Sequence, residues 1–322
     1  MKLIRGLHNL PIEADACVAT IGNFDGVHLG HQAVLGQLAE QGAKLNLPTV
    51  VIMFEPQPQE YFSGADGALP RLTRFREKVQ ALRRYSVDRI VVLPFNRQIA
   101  AMPAEVFIQQ LLVEGLAVEY LVVGDDFHFG FQRQGNYELL QRAGDRSGFQ
   151  VASMRSFTID GDRVSSTRIR NVLAEGDMAS AEQMLGRTFR LSGKVIQGDQ
   201  RGRQLGFPTA NIDLHRRTLP VQGVFAVEAF GVKGEPVAGV ANIGVRPTFN
   251  GKRPVLEVHL LDYSGDLYGL HVEVDILLKI RSEKRFDSLA ALTGQIDQDV
   301  AVARAFFGSR VNRIKDTKQT MA

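Results

Sequence analysis

Two histidines three residues apart, His28 and His31, close the string Gly22-Asn23-Phe24-Asp25-Gly26-Val27-His28-Leu29-Gly30-His31. The string follows the apolar run 17–21 and precedes a helical pattern, so it reads as strand, glycine turn and helix start. Glycines at 22, 26 and 30 let the backbone bend and approach a ligand closely, and the helix that follows would aim its unpaired N–H groups at that ligand. The spacing predicts both imidazoles on one side of the first helical turn. Two such donors suit the charge that builds on phosphorus during nucleotidyl transfer. A plain strand-to-helix turn whose histidines cap the helix would look the same. The lysine of a Gly-x-x-x-x-Gly-Lys-Ser/Thr phosphate loop is missing.

Four other stretches carry reactive or ligand-holding side chains. Asp125 and Asp126, followed by Phe127, end an apolar run and read either as solvated turn residues or as partners for a hydroxyl, a flavin or Mg²⁺. Arg163, Ser165, Ser166, Thr167 and Arg170 combine hydroxyls and guanidinium groups at a helix start, which suits ATP phosphates as well as it suits an ordinary cap. The basic, glycine-punctuated segment 193–211 contains Gly198, Gly202, Gly206, Pro208, Thr209 and Asn211; such turns form N–H concavities for phosphates, and they also turn barrels. In the last stretch, Glu257 and His259 alternate with Leu256, Val258 and Leu260, so Glu257 points away from an apolar face.

The elements that must position these residues fall into two patterns. Short apolar runs at 17–21, 49–54, 89–93, 120–123 and 149–154 alternate with helical patterns at 31–41, 73–85, 103–114 and 136–147. That rhythm predicts a doubly wound parallel α/β domain, which binds ligands beyond the carboxyl ends of its strands. A further helix is expected at 178–185. Near residue 187 the helices give way to strands at 190–196, 223–230, 237–243, 256–261 and 271–279, as expected of a small closed β-barrel. The chain is expected to finish with a helix over 288–307, whose stripe Leu289, Leu292, Ile296, Val300 and Ala303 would pack on the barrel. The predicted domains are 1–186 and 187–322.

Composition narrows the function classes. The 322 residues suffice for two cores, and 44% hydrophobic with 23% charged residues is the balance of a soluble globular protein. A net charge of +3 is too small to imply nucleic-acid binding, yet it tolerates polyphosphate ligands. The single cysteine, Cys17, falls in an apolar run, which favours packing over redox chemistry and excludes a thiolate metal cluster. No window approaches a membrane span of roughly 20 apolar residues. These features predict a cytoplasmic enzyme with small-molecule substrates, neither a membrane protein nor a nucleic-acid binder; nothing in them indicates a homo-oligomer.

The strings together resemble the bacterial bifunctional riboflavin kinase/FAD synthetases. The first is similar to the His-x-Gly-His signature of nucleotidyltransferases, 123–130 to Val-Gly-x-Asp-Phe-x-Phe-Gly, and 164–170 to Ile-Ser-Ser-Thr-x-x-Arg. The segment ending Pro208-Thr209-Ala210-Asn211 resembles the riboflavin kinase motif. The resemblance implies an N-terminal domain that adenylylates FMN to FAD, with His28, His31 and Arg170 catalytic. ATP would there meet Gly22, Asn23, Phe24, Gly30, Arg163, Ser166 and Thr167. It also implies a barrel that phosphorylates riboflavin, with Glu257 as base and with Mg²⁺ and ATP phosphates at Thr209 and Asn211; Gly198, Gly202, Gly206 and Pro208 would line ATP. Flavin would contact Asp126 and Phe127 in the first domain, and Asn242, Arg246, Arg281 and Phe286 in the second. His128 and Phe225 depart from the family pattern, where arginine and tyrosine are usual. Two other readings fit the same strings: a riboflavin kinase with an inactive N-terminal domain, and a flavin- or nucleotide-binding regulator without turnover.

Overall fold

The structure, a computed structural model, describes residues 1–10, 15–64, 69–198, 202, 205–248 and 251–320. The chain divides into two compact units, Met1–Ser166 and Thr167–Ala322. The expected run of parallel strands and helices fills the first, and the expected barrel the second.

In the first unit six parallel strands stand in the order β1 (Lys2–Arg5), β4 (Arg89–Pro94), β3 (Thr49–Glu55), β2 (Cys17–Ile21), β5 (Val118–Gly124), β6 (Gln150–Met154). All of β2 is buried, because helices cover both faces of the sheet. Cys17, Ala19 and Ile21 enter one core with Val50, Ile52, Val91 and Leu93. Val18 enters the other with Val51, Met53, Ile90 and Leu35 and Leu38 of helix α1 (Leu29–Leu45). Burial pushes the Cys17 thiol up to about 12, which leaves it a packing residue. Connections from β2 run outward in one direction through β3 and β4, and in the other through β5 and β6. The switch therefore lies between β2 and β5, the position at which doubly wound sheets bind ligands beyond the carboxyl ends of their strands.

Two departures from the sequence reading are informative. Strand β1 pairs with β4 at the sheet edge with only Ile4 buried, so it has no apolar run to announce it. The helix expected at 103–114 begins after Pro103 as α5 (Ala104–Phe107), following α2 (Pro58–Ser63), α3 (Phe75–Leu82) and α4 (Arg97–Ala100), and then widens into a π-helix over Ile108–Gly115. Helix α6 (Tyr137–Ser147), the small hairpin β7 (Thr158–Ile159) and β8 (Asp162–Arg163), and helices α7 (Ser166–Glu175) and α8 (Met178–Leu185) follow.

In the second unit a closed antiparallel barrel runs β10 (Ala210–Asp213), β13 (Gly251–Leu260), β12 (Val237–Thr248), β11 (Gly223–Phe230), β14 (His271–Arg281), β9 (Phe189–Ile196), and back to β10. On β13 the side chains alternate: Leu256, Val258 and Leu260 are buried, while Glu257 and His259 lie on the outer face. The terminal helix is longer than expected, Leu289–Thr320. It packs on Val224, Ala226 and Val240 through Ala303, Val300, Phe306 and Phe307, whereas Leu289 of the expected stripe is exposed.

Candidate active sites

The β2–α1 loop carries His28 as the N-cap of α1. Its Nδ1 accepts the His31 backbone N–H at 3.3 Å, which leaves Nε2–H as the ring's donor. Capping and chemistry are thus compatible in one side chain. The two imidazoles stack at 3.7 Å between centroids, and Phe24 closes on His31 at 5.0 Å. Among the described residues the Nδ1 of His31 is buried without a hydrogen-bond partner. Burial, then His28, Lys78 and Arg163, hold the His31 imidazole well below its ordinary value, so it is neutral near pH 7. Gly30 lies close under the His28 ring: a Cβ there would stand 3.2 Å from His28, which the imidazole would have to shift to accommodate.

The loop is strained and held. Phe24 and Val27 adopt φ of 48° and 42°, conformations that cost non-glycine residues of order 1 kcal/mol or more each. Asp25, 1% exposed, accepts the N–H groups of Leu72 (3.1 Å) and Thr73 (2.9 Å) and the Thr73 hydroxyl (3.1 Å). The Gly26 N–H donates to Thr73 Oγ1 at 2.9 Å, and Ser166 Oγ donates to the Asp25 carbonyl at 2.9 Å. Asn23 offers its carbonyl to the buried Lys78 ammonium at 2.6 Å. Gly22 follows β2 and lies against Phe24, whose ring is 3.1 Å from where a Cβ would stand.

Across the switch point, the β5 end places Asp126 against Arg163, Oδ1 to NH2 at 2.7 Å. One residue assigned to flavin and one assigned to ATP phosphates thus meet as an ion pair. Asp125 accepts the Ser156 N–H and hydroxyl, which hold its carboxyl below the usual range despite the opposing effect of burial. Phe127 stacks on Phe129 at 5.4 Å, and the His128 ring sits 2.9 Å from the Asp126 carbonyl. Thr167 and Arg170 lie in the first turns of α7.

On the barrel, register makes a second constellation. Glu257 stands opposite Asn211 on one side and opposite Asn242 on the other, so the three side chains form a row on the outer face of β10, β13 and β12. Arg246, four residues beyond Asn242 and on the same face, grips the Glu257 carboxylate. A Cβ at Gly198 would overlap the Asn211 amide, and one at Gly202 would overlap the Phe207 carbonyl and come within 3.2 Å of Thr209 Oγ1. These glycines therefore let the loop lie directly on Thr209 and Asn211. Gly206 takes φ 85°, and the Pro208 carbonyl sits 2.9 Å from His259 Nδ1. Residues 199–201 and 203–204 of this loop lie outside the described residues. Beside Thr209 opens a cavity of about 530 Å³ with Val195, Pro208, Leu260 and Leu267 in its wall. Arg281 makes a bidentate pair with buried Asp299 (Nε 2.9 Å, NH2 2.8 Å) and lies 5.7 Å over the Phe286 ring, tying β14 to the terminal helix. Phe225, wholly buried, has no hydroxyl to present.

Sequence reasoning missed Lys78, which sits in the charged run Arg76-Glu77-Lys78 and reads as solvent-facing, and Glu55, Glu60 and Arg71, whose ion-pair cluster lies at the carboxyl end of β3. Their only advance signal was the number of charges after a buried strand.

A doubly wound sheet with paired histidines at its switch point, joined in sequence to a barrel carrying a carboxylate and an amide under a glycine loop, is the layout of a phosphoryl- and nucleotidyl-transferring enzyme. Comparison with known proteins narrows the class. A family model for FAD synthetase matches residues 11–168 and one for riboflavin kinase matches 185–307. The bifunctional riboflavin kinase/FMN adenylyltransferase of Escherichia coli (strain K12) is 52% identical over 96% of this chain and 98% of its own. The corresponding proteins of Haemophilus influenzae and Pseudomonas fluorescens are 51% and 48% identical over 96% and 97% of this chain. A solved structure described as a macrolide-efflux protein from Streptococcus pneumoniae covers 94% of this chain and 99% of its own with a TM-score of 0.81 and 29% identity. The chain belongs to the bifunctional riboflavin kinase/FMN adenylyltransferase family. Among the described residues no helix is long and apolar enough to cross a membrane.

Proposed function

We propose that this chain converts riboflavin to FMN on the barrel and FMN to FAD in the N-terminal unit, each step consuming one ATP, with 1–186 and 187–322 as the working domains. The observation that carries the reading is the row Asn211, Glu257, Asn242 on the barrel, which places a carboxylate between two amides beneath a loop able to hold phosphates. In the kinase step the riboflavin 5′-hydroxyl attacks the γ-phosphorus of ATP, Glu257 takes the proton, and ADP leaves. Asn242 and Arg246 fix the carboxylate's surroundings, and flavin contacts extend to Arg281 and Phe286. Gly198, Gly202, Gly206 and Pro208 shape the ATP loop, and the cavity beside Thr209 suits the adenosine.

Thr209 and Asn211 offer the hard oxygens that Mg²⁺ prefers, and the absence of side chains at Gly198 and Gly202 leaves room for phosphate beside them, so these residues fit a Mg²⁺–ATP complex. Bound there, Mg²⁺ would neutralise charge on the β and γ oxygens.

In the adenylyl step the FMN phosphate, already ionised, attacks the α-phosphorus and pyrophosphate leaves, so no base is required. His28 and the neutral His31 donate to the phosphate oxygens as charge develops, Gly22, Asn23, Phe24 and Gly30 let ATP approach the backbone, and Arg163 and Ser166 complete its contacts. The assignment of Thr167 and Arg170 to the same phosphates rests on the motif alone. Asp126 and Phe127 take the flavin. On this reading the protein belongs to the cytoplasm, where ATP and riboflavin meet; the reaction needs neither nucleic acid nor a membrane.

The test is a time course with riboflavin, ATP and Mg²⁺, separating the three flavins by chromatography. FMN that rises and then yields to FAD supports both activities; FMN that persists even when it is supplied directly with ATP would favour an inactive N-terminal unit.

A further inference from the structure

Lys78, on α3, is wholly buried, a costly place for an ammonium group unless its charge and its hydrogen bonds are used. Its Nζ donates to the Asn23 carbonyl at 2.6 Å, inside the loop that ends in His28. The same segment of chain supplies Thr73, which receives the Gly26 N–H and donates to Asp25. The loop between β2 and α1, with Phe24 and Val27 at positive φ, is therefore pinned on one side by residues 72–78, and Lys78 is the pin that carries charge. An apolar side chain of equal length would fill this space but would leave the Asn23 carbonyl without its donor.

We infer that Lys78 is a positioning residue for adenylyl transfer, holding the Asn23 carbonyl so that His28 and His31 face the α-phosphate. The inference rests on the assignment of those histidines proposed above. Lys78, wholly buried, acts through the loop, and its charge adds to that of Arg163 in keeping His31 unprotonated. Around Lys78 itself stand Asp25, Arg71, Glu55 and Glu60, whose opposing charges leave burial as the main influence, and its ammonium falls below the ordinary lysine value.

The experiment uses the full chain with Lys78→Met, which keeps length and bulk without charge or donor. FAD formation from FMN and ATP should fall about 10²-fold, chiefly in kcat, because misplacement of catalytic groups by about 1 Å costs that much. FMN formation from riboflavin, measured in the same preparations, should remain at the parental rate. The His31 ring, followed by NMR titration, should protonate at higher pH than in the parent. For the event that Lys78→Met does not fold, Lys78→Ala is assayed with and without ethylammonium, and recovery by the amine but not by ethanol supports the same role. Parental FAD formation in Lys78→Met would overturn the inference, as would a loss accompanied by neither a His31 shift nor recovery by amine. His31→Ala is run alongside: if it too retains FAD formation, the histidine assignment fails, whereas its loss beside an active Lys78→Met leaves that assignment standing and removes only the role of Lys78.

Discussion

Asn211 on β10 and Glu257 on β13 stand directly opposite each other in an antiparallel pair, so the amide and the carboxylate leave the barrel from the same outer face. Neither can shift without breaking the strand register, and a slip of one residue in either strand would turn its member of the pair into the barrel interior. The geometry of the proposed kinase site is thus fixed by backbone pairing before any substrate arrives.

Replacing Glu257 by Gln keeps the shape and removes the base. FMN formation should fall by about 10²- to 10⁴-fold, while FAD formation from supplied FMN continues. Steady-state assays of each half-reaction decide it, and an unchanged kinase turnover would exclude Glu257 as the base.

His31→Ala should have the complementary effect. It removes a donor with no charge to lose, since the imidazole is neutral in the folded protein, and FAD formation should fall by about 10²-fold or more. FMN formation should stay at the parental level. Equal loss of both activities in a folded variant would contradict separate sites.

Much of this arrangement was legible in the chain. The strands at 17–21 and 271–279 and the alternation around Glu257 are patterns of period two or continuous apolar runs, and burial enforces both. What was missed has a common physical cause. Strand β10 has only four residues, and Asn211 sits in it because β9 and β13 flank it, which no local pattern encodes. Strand β1 shows one buried side chain, and Lys78 looks like any charged helix residue until the loop it supports is in place. The ion pair of Asp126 with Arg163 joins residues 37 positions apart in numbering and could not be read from either motif.

Gly202→Ala tests the loop that lies on Thr209. The added Cβ overlaps the Phe207 carbonyl, a backbone atom that cannot step aside cheaply, so the loop must lift. The expected outcome is a rise of about 10-fold or more in KM for ATP in the kinase reaction, with FAD formation from FMN unchanged.

Stability of the N-terminal unit should decline on acidification. His31 is held neutral when folded and titrates near 6.5 when unfolded, so below that value the unfolded chain binds a proton that the folded chain refuses. Urea midpoints followed from neutrality to about pH 5 should fall, and His31→Gln should flatten that fall.

Asp299→Ala should loosen the terminal helix from the barrel. The carboxylate is 2% exposed and takes both arms of Arg281, and removing one member of such a pair costs about 3 kcal/mol or more. A lowered denaturation midpoint of the barrel, read by intrinsic tyrosine fluorescence or circular dichroism, checks it.

The pairing of β2 with β5 also bears on how the molecule comes into being. The histidines occupy the first tenth of the chain, but the switch point beside them exists only once Val118–Gly124 has docked on β2, and the Ser166 hydroxyl must then return across 141 residues to the Asp25 carbonyl. A nascent chain emerging from the ribosome thus carries its reactive pair long before it has a pocket to use it in. Contacts this distant in sequence form slowly. A polypeptide stopped short of β5 would contain both imidazoles and still be unable to line up a nucleotide.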